Sequence, residues 1–143
     1  MRFMMLMIPK GYESAAPGQI PPAEAVAKMM KYNESLQKAG VLLALDGLHP
    51  PSAGARVSFS GGKPKVTDGP FIEAKEVIGG YWMIQVKSKE EAIEWAKRIP
   101  FEADGRGGEG EIEIRQLFEL EDFGPSEAVE RARELGKELA KKK

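Results

Sequence analysis

Cysteine is absent from this 143-residue chain, and histidine occurs once, as His49. The first absence excludes disulfides, thiolate metal sites and cysteine nucleophiles, and the second excludes a multi-histidine zinc site. No EF-hand spacing of carboxylates occurs either, so neither a metal nor a cofactor is expected. No apolar run reaches membrane-spanning length. The apolar stretch from Phe3 to Ile8 is too short for the core of a secretory signal, and Pro9-Lys10 follows it where a small-residue cleavage site would stand. A formal net charge of -1 provides no global field to recruit nucleic acid or an anionic membrane. The expectation is a soluble cytoplasmic protein that contacts neither nucleic acid nor membrane directly.

Two motif-like stretches lack the partners that would make them sites. Gly105, Gly107, Gly108 and Gly110 precede a strand and carry no G-K-[ST], so they read as a connector rather than a phosphate loop. Ser52, Ser58 and Ser60 have no G-x-S-x-G context for a nucleophile.

What is present is ordinary for a single globular domain, with 42% hydrophobic and 30% charged residues. Phe3 to Ile8 reads as a strand buried on both faces. Residues 9 to 22 hold four prolines and two glycines and read as a loop. Ala25, Met29, Tyr32, Leu36 and Ala39 then recur on one face of a helix that Gly40 ends, with Asn33 at the edge of the stripe. Residues 41 to 48 form a second core strand, and residues 80 to 87 a third with Trp82, Ile84 and Val86 on one face. Between them Gly61-Gly62 joins two polar-alternating segments, 55–60 and 63–67, into a hairpin. Ser88 with Glu91 opens another helix as a capping box, with a stripe of Ala92, Trp95, Ala96 and Ile99, and Pro100 stops it. The clean alternation of residues 111–118 is a fourth strand, and a thin stripe of Val129, Ala132, Leu135 and Leu139 marks a C-terminal helix.

The expected fold is therefore α+β: a ferredoxin-like split βαβ sheet with an inserted β-hairpin over residues 1–124, followed by a helical extension over 125–143. Two helices cover one face of such a sheet. The other face still receives apolar residues, and a homodimer pairing sheet against sheet accounts for them. The rival expectation is that the C-terminal helix folds back over that face.

Asp68-Gly69-Pro70 admits two readings. Asp68 is either a turn former followed by solvated Glu73, Lys75 and Glu76, or a carboxylate held in place for chemistry. His49, stiffened by Pro50-Pro51 just after a core strand, is either a lone surface histidine or a proton carrier.

"YNESLQKAGVLLALDGLHPPS", "GGKPKVTDGPFIEAKE", "GGYWMIQVKSKEEAIEWAKRIP" and "EIEIRQLFE" together resemble the YCII-related family in its DGPF-motif branch, over about residues 1 to 124. The resemblance implies a ferredoxin-like domain forming a dimeric α/β barrel. It also implies a His-Asp acid/base pair, by analogy with muconolactone isomerase-like barrels, and this falls on His49 and Asp68. Branch members often place Gln where His49 stands. Their motif usually reads D-G-P-F-A-E-T-K-E, where this chain has Ile72 and Ala74, so position 74 takes no role. On this reading His49 moves a proton on a small cyclic or carbonyl substrate while Asp68 orients it. Lys75 steadies an enolate or carboxylate, and Asn33, Phe71, Glu73 and Tyr81 contact the substrate near the open sheet face, with Tyr32 as further polar lining. Trp82 is a third candidate apolar wall, and the first of the three to be read as core instead. The alternative implied by the resemblance is a non-catalytic ligand-binding or regulatory module that partners an extracytoplasmic-function sigma factor.

Overall fold

Alternation along the first strand decides which side chains meet the helices. In the computed structural model, which describes residues 1–16, 18, 20–71, 76–101 and 108–142, β1 spans Arg2–Pro9. Phe3 and Met5 are buried on one face, while Met4, Leu6 and Ile8 on the other are only half-buried. The unbroken apolar run predicts burial on both faces, but full burial is reached only on the Phe3 and Met5 side, where Met7 is half-buried.

Helix α1, Ala23–Lys38, follows Pro22 and buries Ala25, Tyr32, Asn33 and Leu36. It ends in a Schellman turn. Gly40 adopts a φ of 74°, its N–H donates to Gln37, and the Val41 N–H donates to Leu36. Strand β2, Leu42–Gly47, leads into a hairpin of β3, Ala55–Ser60, and β4, Lys63–Asp68. The hairpin turns on Gly61 and Gly62, both at positive φ, as a two-residue loop of this kind requires. Every residue of β3 and β4 is exposed. Asp68 is the last strand residue, opposite Ala55, rather than the head of a turn.

Strand β5, Gly80–Gln85, returns to the sheet, and helix α2, Lys89–Lys97, follows it. Ser88 caps α2 by accepting the Glu91 N–H at 3.2 Å. The Glu91 carboxylate reaches back to the Lys87 N–H at 2.9 Å, one residue before the cap itself. Strand β6 is Gly110–Gln116, and helix α3 is Glu127–Lys141, capped by Ser126.

The order β2-β5-β1-β6 is antiparallel throughout. It is compatible with the split βαβ arrangement, because α1 and α2 make the two crossovers. Both helices pack on the Phe3, Met5, Trp82 and Ile84 face. There Tyr32 meets Trp82 edge-on, with ring centroids 5.7 Å apart. The Tyr32 hydroxyl crosses to α2 and donates to the Trp95 carbonyl at 2.8 Å.

The opposite face presents Met4, Leu6, Ile8, Tyr81 and Met83 at its centre, beside Glu111, Glu113 and Arg115 of β6. Helix α3 does not lay its stripe there. Val129 is buried, but Leu135 and Leu139 remain 57% and 56% exposed. Among the described residues, no helix is long and apolar enough to cross a membrane.

Candidate ligand cleft

A cleft of about 440 Å³ opens on the helix side of the sheet. Its α1 wall is Ala25, Val26, Met29 and Met30, and its sheet wall is Met7, Leu45 and Trp82. The sheet residues converge there because Leu45 pairs with Trp82 across β2 and β5, on the face that meets the helices. Tyr12, Ile20, Pro21 and Pro22, from the loop after β1, border the same space. Tyr12 anchors this loop by donating its hydroxyl to the Leu48 carbonyl. Leu48 in turn donates its N–H to Gly79 at 2.9 Å. Gly80 keeps the sheet edge tight, since a Cβ there would lie 3.0 Å from the Asp46 carbonyl oxygen.

Polar groups are few in this cleft. Asn33 is buried, and its Oδ1 accepts the Trp82 Nε1–H at 2.8 Å. Asp46 and Tyr81 also border the cleft, and the Tyr81 hydroxyl donates to Asp46 Oδ2 at 2.8 Å. That hydrogen bond holds the Tyr81 phenol above its ordinary range. Alternation from Leu45 and Trp82 directs the Asp46 and Tyr81 side chains toward the opposite sheet face.

The residues expected from the sequence fall in different places. Asn33, Tyr81 and Trp82 line the cleft. Tyr32 is engaged with Trp95 instead. His49 and Asp68 are both exposed and lie outside the cleft lining, and no hydrogen bond or ion pair joins them. Their loops nevertheless touch through the backbone. The Gly69 N–H donates to the Gly54 carbonyl at 2.9 Å, and a Cβ on Gly69 would fall 1.7 Å from the Pro51 carbonyl oxygen. Phe71 is half-buried with the Arg56 guanidinium 4.0 Å from its ring centre. Glu73, Lys75 and residues 102–107 of the glycine-rich connector lie outside the described residues.

The cleft also differs in place from the expectation, which put a site near the open face. It forms on the helix side because the loop after β1 folds back to Leu48. Tyr12, Asp46 and Met30 are lining residues that the sequence reading did not single out. Asp46 carried the one available signal, a carboxylate ending an apolar strand run. Among the described residues, no cluster of three or more His, Cys, Asp or Glu could hold a metal ion.

Residues 1–121 match the YCII-related domain. The chain belongs to the YCII-related family. A relative from Rhizobium meliloti (strain 1021), itself an uncharacterised protein, is 34% identical over 80 residues. That stretch is 56% of this YCII-related chain and 62% of the relative, so less than two thirds of the relative's length is spanned.

Proposed function

We propose that this YCII-related protein binds a small, largely apolar molecule in the cleft between α1 and the sheet. The observation that carries the reading is the cleft itself: about 440 Å³, walled by methionine, leucine, valine and tryptophan side chains, with one buried amide. Ligand sites typically pair an apolar lining with a few placed polar groups. The test is a titration with 2-naphthol, followed by the Trp82 indole N–H signal in NMR. Val26 lines the cleft and is 46% exposed, so Val26→Trp fills the space without disturbing the core. Saturable binding to the wild type and its loss in Val26→Trp support the reading. Unchanged affinity in the variant overturns it.

We further propose a homodimer paired through the open sheet faces, as a ferredoxin-like dimeric barrel of the DGPF branch. Met4, Leu6, Ile8 and Met83 form an apolar centre beside charged Glu111, Glu113 and Arg115. An apolar centre with a charged rim is the anatomy of a protein interface.

A second reading keeps His49 and Asp68 as an acid/base pair, with Phe71, Glu73 and Lys75 beside the substrate. The packing of Gly69 on Pro51 and Gly54 supports it, because that contact draws the two loops together. An NMR pH titration of the His49 ring in wild type and Asp68→Asn decides. A mutant curve displaced to lower pH favours the pair, and coincident curves exclude it.

A further inference from the structure

Among the described side chains lining the cleft, the buried amide of Asn33 has hydrogen-bonding capacity that the protein leaves partly unused. Asn33 is 8% exposed, and its neighbour fixes which way its amide faces. An indole Nε1–H only donates, so the Asn33 atom 2.8 Å from Trp82 Nε1 is the oxygen. The Asn33 nitrogen is therefore turned away from Trp82. It carries two hydrogens, and its contact is Met30 Sδ at 3.9 Å, a weak acceptor. Met30 is 49% exposed and unbranched, so it can swing aside for a better acceptor.

Charge narrows the class of that acceptor. Among the described residues lining the cleft there is no lysine, arginine or histidine. The one acid is Asp46, and it already accepts from Tyr81. A carboxylate or phosphate ligand would lose its hydration without gaining a counter-charge. A neutral oxygen suffers no such loss.

We infer that the cleft takes a neutral, apolar, ring-sized molecule bearing a carbonyl oxygen, and that Asn33 Nδ2 donates to that oxygen. This rests on the cleft being a ligand site, as proposed above. Trp82 acts as the positioning residue, since its N–H locks the amide with nitrogen facing the ligand.

The test uses three probes on one ring: 2-acetylnaphthalene, 2-isopropenylnaphthalene, in which a methylene replaces the carbonyl oxygen, and 2-naphthoate. Each is titrated into wild type and into Asn33→Asp at pH 8. The variant keeps an oxygen for Trp82 and removes the N–H donors. The ratio of ketone to alkene affinity cancels the different water solubilities of the probes. It is expected to fall about three- to tenfold from wild type to variant, the worth of one hydrogen bond. The Asn33 side-chain amide signals of the wild type are expected to move with the ketone and stay put with the alkene. This second readout needs no variant, so it stands even if Asn33→Asp misfolds. 2-Naphthoate is expected to bind more weakly than the ketone, and tighter binding overturns the preference for a neutral ligand. If ketone and alkene bind with the same ratio in both proteins and the amide signals do not move, Asn33 is not the anchor, although the cleft reading survives. If no probe binds, both readings fall together.

Discussion

Gly69 and Pro51 approach so closely that a Cβ on Gly69 would lie 1.7 Å from the Pro51 carbonyl oxygen and 2.7 Å from its carbon. Backbone cannot yield as a flexible side chain can, so this contact admits only glycine. It pins the base of the exposed β3–β4 hairpin to the loop that carries His49. Gly69→Ala is expected to lower stability by about 1–3 kcal/mol, the usual cost of overpacking, and to shift the His49 ring signals. Urea unfolding and NMR check both. A variant as stable as wild type, with unmoved ring signals, removes the link between the two loops.

Trp82 and Asn33 hold each other in the core at 2.8 Å, and each orients the other. Asn33→Leu orphans the buried indole N–H and is expected to cost about 1–3 kcal/mol. Trp82→Phe adds its own packing loss. A double-mutant cycle should return a coupling of about 1–2 kcal/mol between the two sites. Simple additivity would show that the bond contributes nothing net.

Tyr32 makes a pH-dependent contribution. Burial holds its phenol well above the ordinary range, against a smaller downward pull from Arg98. In the unfolded chain the phenol ionises near ~10. Below that pH both states are protonated and the contribution is fully present. Above it the unfolded state releases a proton that the folded state retains, so stability falls as pH rises. Tyr32→Phe loses the bond to the Trp95 carbonyl, which costs about 1 kcal/mol near neutral pH. Between pH 8 and 11, however, it should lose less stability than the wild type. Tyr12 and Tyr81 are present in both proteins and cancel in that comparison. Parallel losses in the two proteins would contradict the assignment.

Leu6 lies at the centre of the open sheet face, between Tyr81 and Glu113. The proposed dimer predicts sedimentation at twice the 15.7 kDa chain mass. Leu6→Arg buries an unpaired charge in that interface and should yield folded monomers. Wild type sedimenting at the chain mass at micromolar concentration would remove the dimer.

Much of the secondary structure was legible because its determinants are local. Ser88 caps its helix through the N–H group three residues ahead. Gly40, Gly61 and Gly62 sit where the backbone needs positive φ, and such positions advertise themselves as glycine. The stripe of Tyr32 and Leu36, and the faces of β5, followed from periodicity alone. The extra rung at Asp68 did not, since it depends on Ala55 pairing across the hairpin. Nor did the exposure of Leu135 and Leu139, because an amphipathic pattern does not say what the stripe meets.

Element order, the Ser88 cap, the Gly40 and Gly61-Gly62 turns and the family were legible in the chain alone. Each of these depends on residues a few positions apart or on a matched stretch of chain. Tertiary structure alone decided where the cleft lies and how it is lined. Tyr12 reaches Leu48 across 36 residues and Trp82 reaches Asn33 across 49. Bonds of that span depend on how β1, α1, β2 and β5 stack, and no local pattern encodes that stacking.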